Sequence, residues 1–318
     1  MHAAVIQSVD QPPQYRSVPD PVAGDGEVVV DVLAVAVHPV TRSKASGRHY
    51  SSSGRLPMIP GIDGVGRLPD GTRVYFTALD DPTGTMAERI AIPAANCVPV
   101  PDGLDDAVVA AAVNPAISSW LALRNRVELR AGESVLVLGA TGNAGAIAVQ
   151  LARRLGAATV IGAGRNPDAL AALPGLGADA VISLDAPADT VSAEIAKLAS
   201  EVDVVVDYLW GPHTELALAA IADARREPAR PLRWVHIGAV AGPTITLPAA
   251  ALRKIAIQLT GSGIGSIAQD TLDTETAGLL DQLTTMDLTT KPVRTPLREV
   301  EQAWNRPVAT GSRLVFIP

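Results

Sequence analysis

The chain has 318 residues, 47% of them hydrophobic and 19% charged, which describes a soluble globular protein long enough for one large domain or two ordinary ones. A formal net charge of −7 argues against nucleic-acid binding, which needs a basic face, and no Lys/Arg stripe runs along the chain. A single cysteine, Cys97, excludes an internal disulfide framework and any multi-cysteine zinc site. The opening residues lack the charged head and apolar core of a signal peptide, and no apolar run reads as long and unbroken enough to span a bilayer. The expectation is a cytoplasmic protein with neither a membrane nor a nucleic acid as partner.

The first hundred residues read as β-rich. Residues 27–37 (EVVVDVLAVAV) form a β-branched run, and Pro and Gly punctuate the next stretch, leaving room for short strands at 73–77 and 87–92. Residues 104–113 read as a helix, with Asp105 and Asp106 suited to its first turn. From Ser134 the texture changes to alternating strands and helices. Strands are expected at 135–138, 159–163, 180–183, 202–207, 232–237 and 255–261. Helices are expected at 143–155, 168–173, 188–200 and 213–224, with Gly156 placed to end the first of them. Such alternation implies parallel strands joined by right-handed crossovers. A helical stretch at 272–283 and a strand at 312–317 complete the chain.

The most informative segment is VLVLGATGNAG at 135–145, a short apolar strand running through a glycine-spaced turn into a helix. Gly139 permits the tight turn, Gly142 permits backbone N–H groups to approach a pyrophosphate, and Gly145 permits close packing of helix on sheet. The helix N-terminus then faces the anion, so Thr141, Asn143 and Ala144 join the candidate dinucleotide-binding residues. Sites for NAD place an acidic residue at the end of the second strand, but here that strand ends Gly162-Ala163-Gly164-Arg165-Asn166. Glycine leaves room, and Arg165 is suited to a bidentate contact with a 2′-phosphate, so Gly164, Arg165 and Asn166 point to NADP(H); a solvated surface arginine is the plainer alternative. Three segments after later strands should border the crevice, contributing Tyr208, then His236, Ile237 and Gly238, then Gly261 and Ser262. His236 is read either as an acid–base group or, preferably, as a strand-end residue offering a backbone contact.

With these residues in view, the chain resembles the medium-chain dehydrogenase/reductase superfamily, and within it the zinc-independent quinone oxidoreductase branch. The resemblance spans VHPVTRSKASG at 37–47, PGIDGVG at 60–66, GTMAERIAIP at 84–93, VPDGLDDAVVAAAV at 100–113, the glycine loop and GSRLVFIP at 311–318. It implies an α/β chain in which a GroES-like β-barrel catalytic domain (1–118 and 265–318) flanks a Rossmann doubly wound parallel sheet (119–264), with the active site in the cleft between them. It also implies a homodimer that pairs the last Rossmann strand.

Zinc-dependent relatives bind catalytic metal through Cys, the His of a Gly-His-Glu motif and a further Cys. The matching positions here are His38, Ile62 and Asn114, so no metal is expected. Without a Lewis acid, the feasible chemistry is hydride delivery to an activated acceptor, a quinone or an α,β-unsaturated carbonyl, where hydrogen-bond donors suffice to hold the delocalised charge. Quinone-reductase relatives often carry Asn at the position of His38 and Tyr at that of Ser43, and this chain has neither. His38 is the leading donor to the substrate oxygen, or else a histidine bonded at a strand end. Ser43 and Lys44 are weaker, since Thr41–Lys44 reads as a solvated loop. Asn114 and Ser118 are expected to precede the helix leading into the Rossmann domain, near the nicotinamide. Arg313 is expected either at the pyrophosphate or on the surface, and Cys97 buried rather than reactive. An enoyl-thioester reductase of a biosynthetic pathway and a non-catalytic NADPH-binding sensor or structural protein are the alternatives.

Overall fold

A computed structural model describes residues 1–9, 11–79, 82–286 and 288–318, with Ile264 described by its backbone. In chain order the strands and helices are β1 (His2–Val5), β2 (Gln14–Ser17), β3 (Glu27–Ala36), α1 (Pro39–Ala45), β4 (Asp63–Arg67), β5 (Arg73–Thr77), β6 (Arg89–Pro93), β7 (Cys97–Pro99) and α2 (Asp106–Leu121). There follow β8 (Ser134–Leu138), α3 (Asn143–Arg154), β9 (Thr159–Gly164), α4 (Pro167–Ala172), β10 (Ala180–Ser183), α5 (Ala188–Ala199), β11 (Val204–Asp207), α6 (Gly211–Ala224), β12 (Leu232–His236), α7 (Ala251–Lys254) and β13 (Ile257–Gly261). The chain closes with α8 (Gln269–Leu283), β14 (Lys291–Pro296), α9 (Val300–Ala303) and β15 (Ser312–Ile317).

Two compact units emerge, one from Met1–Asn114 with Gln269–Pro318 and one from Pro115–Ala268. The second is the doubly wound sheet that the βα alternation implies. Its six strands are parallel in the order β10-β9-β8-β11-β12-β13, so the winding reverses between β8 and β11. The register aligns Ala163, Leu138, Asp207, His236 and Gly261 in one row. The residues that follow them, Gly164, Gly139, Tyr208, Ile237 and Ser262, therefore lie together along the carboxyl edge of the sheet. Its core is aliphatic (Leu136, Leu138, Ile161, Val205, Ile221), with Trp234 buried among these side chains. In a chain that is 3% aromatic, small aliphatic side chains must fill most of the space.

The first unit is built on a mixed seven-stranded sheet ordered β14-β15-β3-β4-β5-β7, with β6 paired to β3. β14 and β15 are parallel and the remaining pairs antiparallel. Val30, Val32, Val35, Phe76, Met86 and Phe316 fill its core. β3 pairs with β6 in register over five residues, Glu27 to Asp31, of which Val28, Val29 and Val30 are β-branched, and its pairing with β4 shifts register between Val32 and Ala34.

Three expectations are corrected. The helix expected at 104–113 runs to Leu121 and continues as a π-helical turn over Ala122–Arg126. Asn114 and Ser118 therefore lie inside a helix rather than ahead of one. The resulting 21-residue segment Asp106–Arg126 is long and apolar enough to cross a membrane by composition, contrary to the expectation that no such run exists. Some 78% of that window is buried within the fold, so its apolar character belongs to a core helix. Residues 41–44 are not a solvated loop but part of α1: Thr41 is buried, and Lys44 Nζ donates to Leu79 O at 2.6 Å.

Candidate functional site

In the second unit, the turn from β8 into α3 is tied to the neighbouring strand. The N–H groups of Gly139 and Ala140 both donate to Ala163 O at 2.9 Å. Gly139 has φ +89°, a conformation costly for any other residue. A Cβ on Gly145 would stand 2.2 Å from Gly139 O, so the first turn of α3 packs on the strand end at a distance only glycine allows. Gly142 differs. Its φ is −84°, and a Cβ there would meet Gly139 O at an ordinary 3.5 Å. Nothing within the protein calls for glycine at 142, so the bare backbone there suits a partner that comes from outside. The first-turn N–H groups of a helix have no intrahelical acceptors and carry its positive end, so this turn could hold an anionic group. A Cβ on Gly164 would fall 2.4 Å from the Thr141 side chain, so strand end and loop close on one another.

Asp207 organises the next segment. Its fully buried carboxylate accepts four hydrogen bonds: from Leu209 N (2.8 Å) and Trp210 N (3.1 Å) at Oδ1, and from Thr214 Oγ1 (2.6 Å) and Trp234 Nε1 (3.1 Å) at Oδ2. The bond to Trp210 helps hold that residue at φ +55°, a left-handed conformation that costs a non-glycine residue about 1–3 kcal/mol. Trp210 is thereby set edge-on to His236, ring centroids 4.4 Å apart, and the pair lines a cavity of about 250 Å³ with Leu259, Thr260 and Gly261. Burial lowers the His236 pKa, partly countered by the Asp207 charge, and its Nε2 is buried with no hydrogen-bond partner among the described residues. Tyr208 Oη lies 3.2 Å from Ser118 Oγ, and burial raises the phenol above its usual range.

A second cavity, of about 280 Å³, opens past the end of β9, lined by Arg165, Leu209, Pro212, His213, Val240 and Ala241. Arg165 is exposed and no carboxylate lines this cavity. Asn166 Oδ1 is committed to capping α4, accepting from Ala169 N at 3.0 Å. His213 was not among the residues the sequence pointed to; only its lining of a cavity with Arg165 reveals it.

In the first unit, His38 lies two residues past the end of β3, at the N-cap position of α1, immediately before Pro39. Its Nε2 lies 3.4 Å from Asp63 Oδ1, with both residues 1% exposed. Neither ring nitrogen completes a hydrogen bond among the described residues. Asp63 is held from its other side, since Tyr75 Oη donates to Oδ2 at 2.6 Å and Thr85 Oγ1 donates to its backbone oxygen at 2.8 Å. Burial, then the Asp63 charge, raises the Tyr75 phenol well above its usual range, so it stays a donor. Arg313 Nη1 donates to Val37 O at 3.3 Å, and burial lowers the guanidinium pKa, partly countered by the Asp63 charge. Ser43 is half-buried on α1. The arrangement is a buried imidazole with free ring nitrogens, backed by a fixed carboxylate, which can donate or accept a proton. A larger cavity of about 590 Å³ on this unit, lined by Pro19, Leu79, Ile90 and Asn96 among others, includes none of these groups.

The family described as zinc-binding dehydrogenase matches residues 144–274, most of the second unit. A probable NADPH-dependent quinone reductase, tdiC, of Emericella nidulans is 32% identical, with the whole of each chain covered. This chain belongs to the medium-chain dehydrogenase/reductase family. Within that family it falls in the quinone-oxidoreductase-like branch. The quinone oxidoreductase of Thermus thermophilus, solved alone and with NADPH, superposes over the whole of both chains with TM-score 0.81 at 28% identity. A chloroplastic NADPH-dependent alkenal/one oxidoreductase of Arabidopsis thaliana is 30% identical over 58% of this chain and 50% of its own length.

Family membership raises the question of zinc, and the donor set does not fit it. The resemblance sets His38, Ile62 and Asn114 at the metal-ligand positions; Ile62 is buried and Asn114 lies in α2. One imidazole nitrogen and one carboxylate oxygen fall short of the three protein ligands of a catalytic zinc, and no group of three His, Cys, Asp or Glu gathers among the described residues. Cys97 is on β7, where burial and the Asp273 charge push its pKa up to about 11, so it is a thiol at neutral pH.

Proposed function

We propose that this chain is an NADPH-dependent oxidoreductase that reduces a quinone or an α,β-unsaturated carbonyl without a metal. The observation that carries the reading is the full-length relationship to a probable NADPH-dependent quinone reductase. The missing carboxylate at the end of β9, where Arg165 stands instead, supports NADP(H) over NAD(H). In this reading Gly139, Thr141, Gly142, Asn143, Ala144 and Gly145 hold the pyrophosphate. Gly164, Arg165 and Asn166 take the 2′-phosphate end, while Tyr208, His236, Ile237, Gly238, Gly261 and Ser262 line the rest of the groove.

The bound cofactor supplies a hydride. The chain's own residues supply the remainder: His38, steadied by Asp63, gives a proton to the acceptor oxygen, and Ser43 and Asn114 offer hydrogen bonds. An acceptor whose negative charge delocalises as it forms needs only such donors. A homodimer pairing the exposed edge of β13 fits the family, and a cytoplasmic setting fits a chain with one unpaired cysteine.

Steady-state oxidation of NADPH with a panel of quinones, enones and enoyl thioesters tests the activity; NADPH binding without turnover on any of them would overturn it. Arg165→Ala tests the cofactor. It should weaken NADPH about tenfold or more, the worth of a charge-assisted contact to phosphate, and leave NADH nearly unchanged. Equal loss for both would remove the phosphate role.

A further inference from the structure

We infer that His213 is a second ligand for the 2′-phosphate of NADP(H), opposite Arg165, and that it makes affinity for the phosphorylated cofactor depend on pH. The inference rests on the NADP(H) reading above and deepens it.

The cavity past β9 has four apolar walls, Leu209, Pro212, Val240 and Ala241, and two basic side chains, Arg165 and His213. An apolar pocket with one cation and one imidazole suits an apolar ring bearing an anion, the chemistry of an adenosine 2′-phosphate. Carboxylates on the adjoining segments are engaged elsewhere. Asp207 is saturated by its four donors, and Glu215 Oε1 accepts from Thr246 N at 2.6 Å. Asp168 belongs to the first turn of α4 and does not line the cavity. In the free protein, burial and then the Arg165 charge hold the His213 imidazole below its ordinary pKa, so it is neutral near pH 7. A phosphate dianion seated between the two groups reverses the sign of that field. It cancels the repulsion from Arg165 and favours the imidazolium, so a proton is taken up on binding. Affinity is then highest at low pH and falls as pH rises past the imidazole's range.

The probes are 2′,5′-ADP and 5′-AMP, which differ by the 2′-phosphate, titrated calorimetrically between about pH 6.5 and pH 8 in buffers of different ionisation enthalpy. Wild-type affinity for 2′,5′-ADP should fall about tenfold across this range, with proton uptake on binding, while 5′-AMP shows neither. The ligand phosphate itself titrates near pH 6 with the opposite slope, and equally for every variant. His213→Gln should bind 2′,5′-ADP without proton uptake, keeping only the shallow opposite slope of the phosphate, and His213→Lys should keep the tighter binding at high pH. A His213→Gln protein of unchanged melting temperature that retains the wild-type slope and uptake would overturn the inference alone. A wild-type protein that fails to distinguish 2′,5′-ADP from 5′-AMP would overturn the NADP(H) reading itself.

Discussion

Asp207 shows how one side chain can set the shape of a binding edge. It sits where β11 leaves the sheet, and its two oxygens gather donors from its own loop, from α6 and from β12. All four are donors, so an amide cannot replace the carboxylate: one end of Asn would present N–H₂ to groups that have protons to give. The Thr214 hydroxyl can turn to accept, but Trp234 Nε1 and the backbone N–H groups cannot. Asp207→Asn should therefore lower stability by about 2–4 kcal/mol, read as a shift in denaturant midpoint, and should loosen Trp210 from its left-handed conformation. An unchanged midpoint would mean that the four bonds add nothing over water. The role was hidden in the sequence because Thr214 and Trp234 reach Asp207 only once the strands are in register. The same holds for Asp63, whose partners Tyr75 and His38 come from two other elements.

Among the elements, the βα units were legible because β-branched strands alternate with helices, three of which begin at a glycine or a capping residue: Gly142 for α3, Asn166 for α4 and Gly211 for α6. α1 was not, since Pro39–Ala45 has no apolar period and its burial of Thr41 and Lys44 is imposed by surrounding structure. β14 (KPVRTP) was missed because two prolines and two charges argue against a strand; it is tolerated as the edge strand beside β15. α2 runs on past 113 through Pro115, which lies inside a helix whose flanks are buried. The glycine turn permits a test at this scale, because its glycines have separable reasons. Gly145→Ala forces a Cβ to 2.2 Å from Gly139 O, so it should destabilise the fold by more than about 2 kcal/mol. Gly142→Ala meets nothing closer than 3.5 Å, so its unfolding midpoint should stay within about 0.5 kcal/mol of wild type while dinucleotide affinity drops about tenfold or more. Thermal melts with and without NADP⁺ separate the two. If Gly142→Ala binds like wild type, the bare backbone there serves no ligand.

For the whole molecule, the decisive question is where the polarising group for the acceptor comes from. A zinc-dependent member of this family would need soft donors, and 318 residues hold one cysteine and five histidines. Among the described residues no three His, Cys, Asp or Glu side chains gather around a common point. His38 and Asp63 face each other with the carboxylate already bonded to Tyr75, an arrangement suited to holding a proton rather than a divalent ion. Turnover should therefore survive prolonged treatment with a strong chelator, with kcat unchanged within error and no gain on adding zinc. Loss of activity with the chelator and recovery with zinc would place a metal in the site after all. Replacement of His38 by Asn, the residue that quinone-reductase relatives often carry, sharpens the same test. An enzyme relying on hydrogen-bond donors should keep measurable turnover with an altered pH profile, whereas an enzyme using His38 as a metal ligand should lose activity outright.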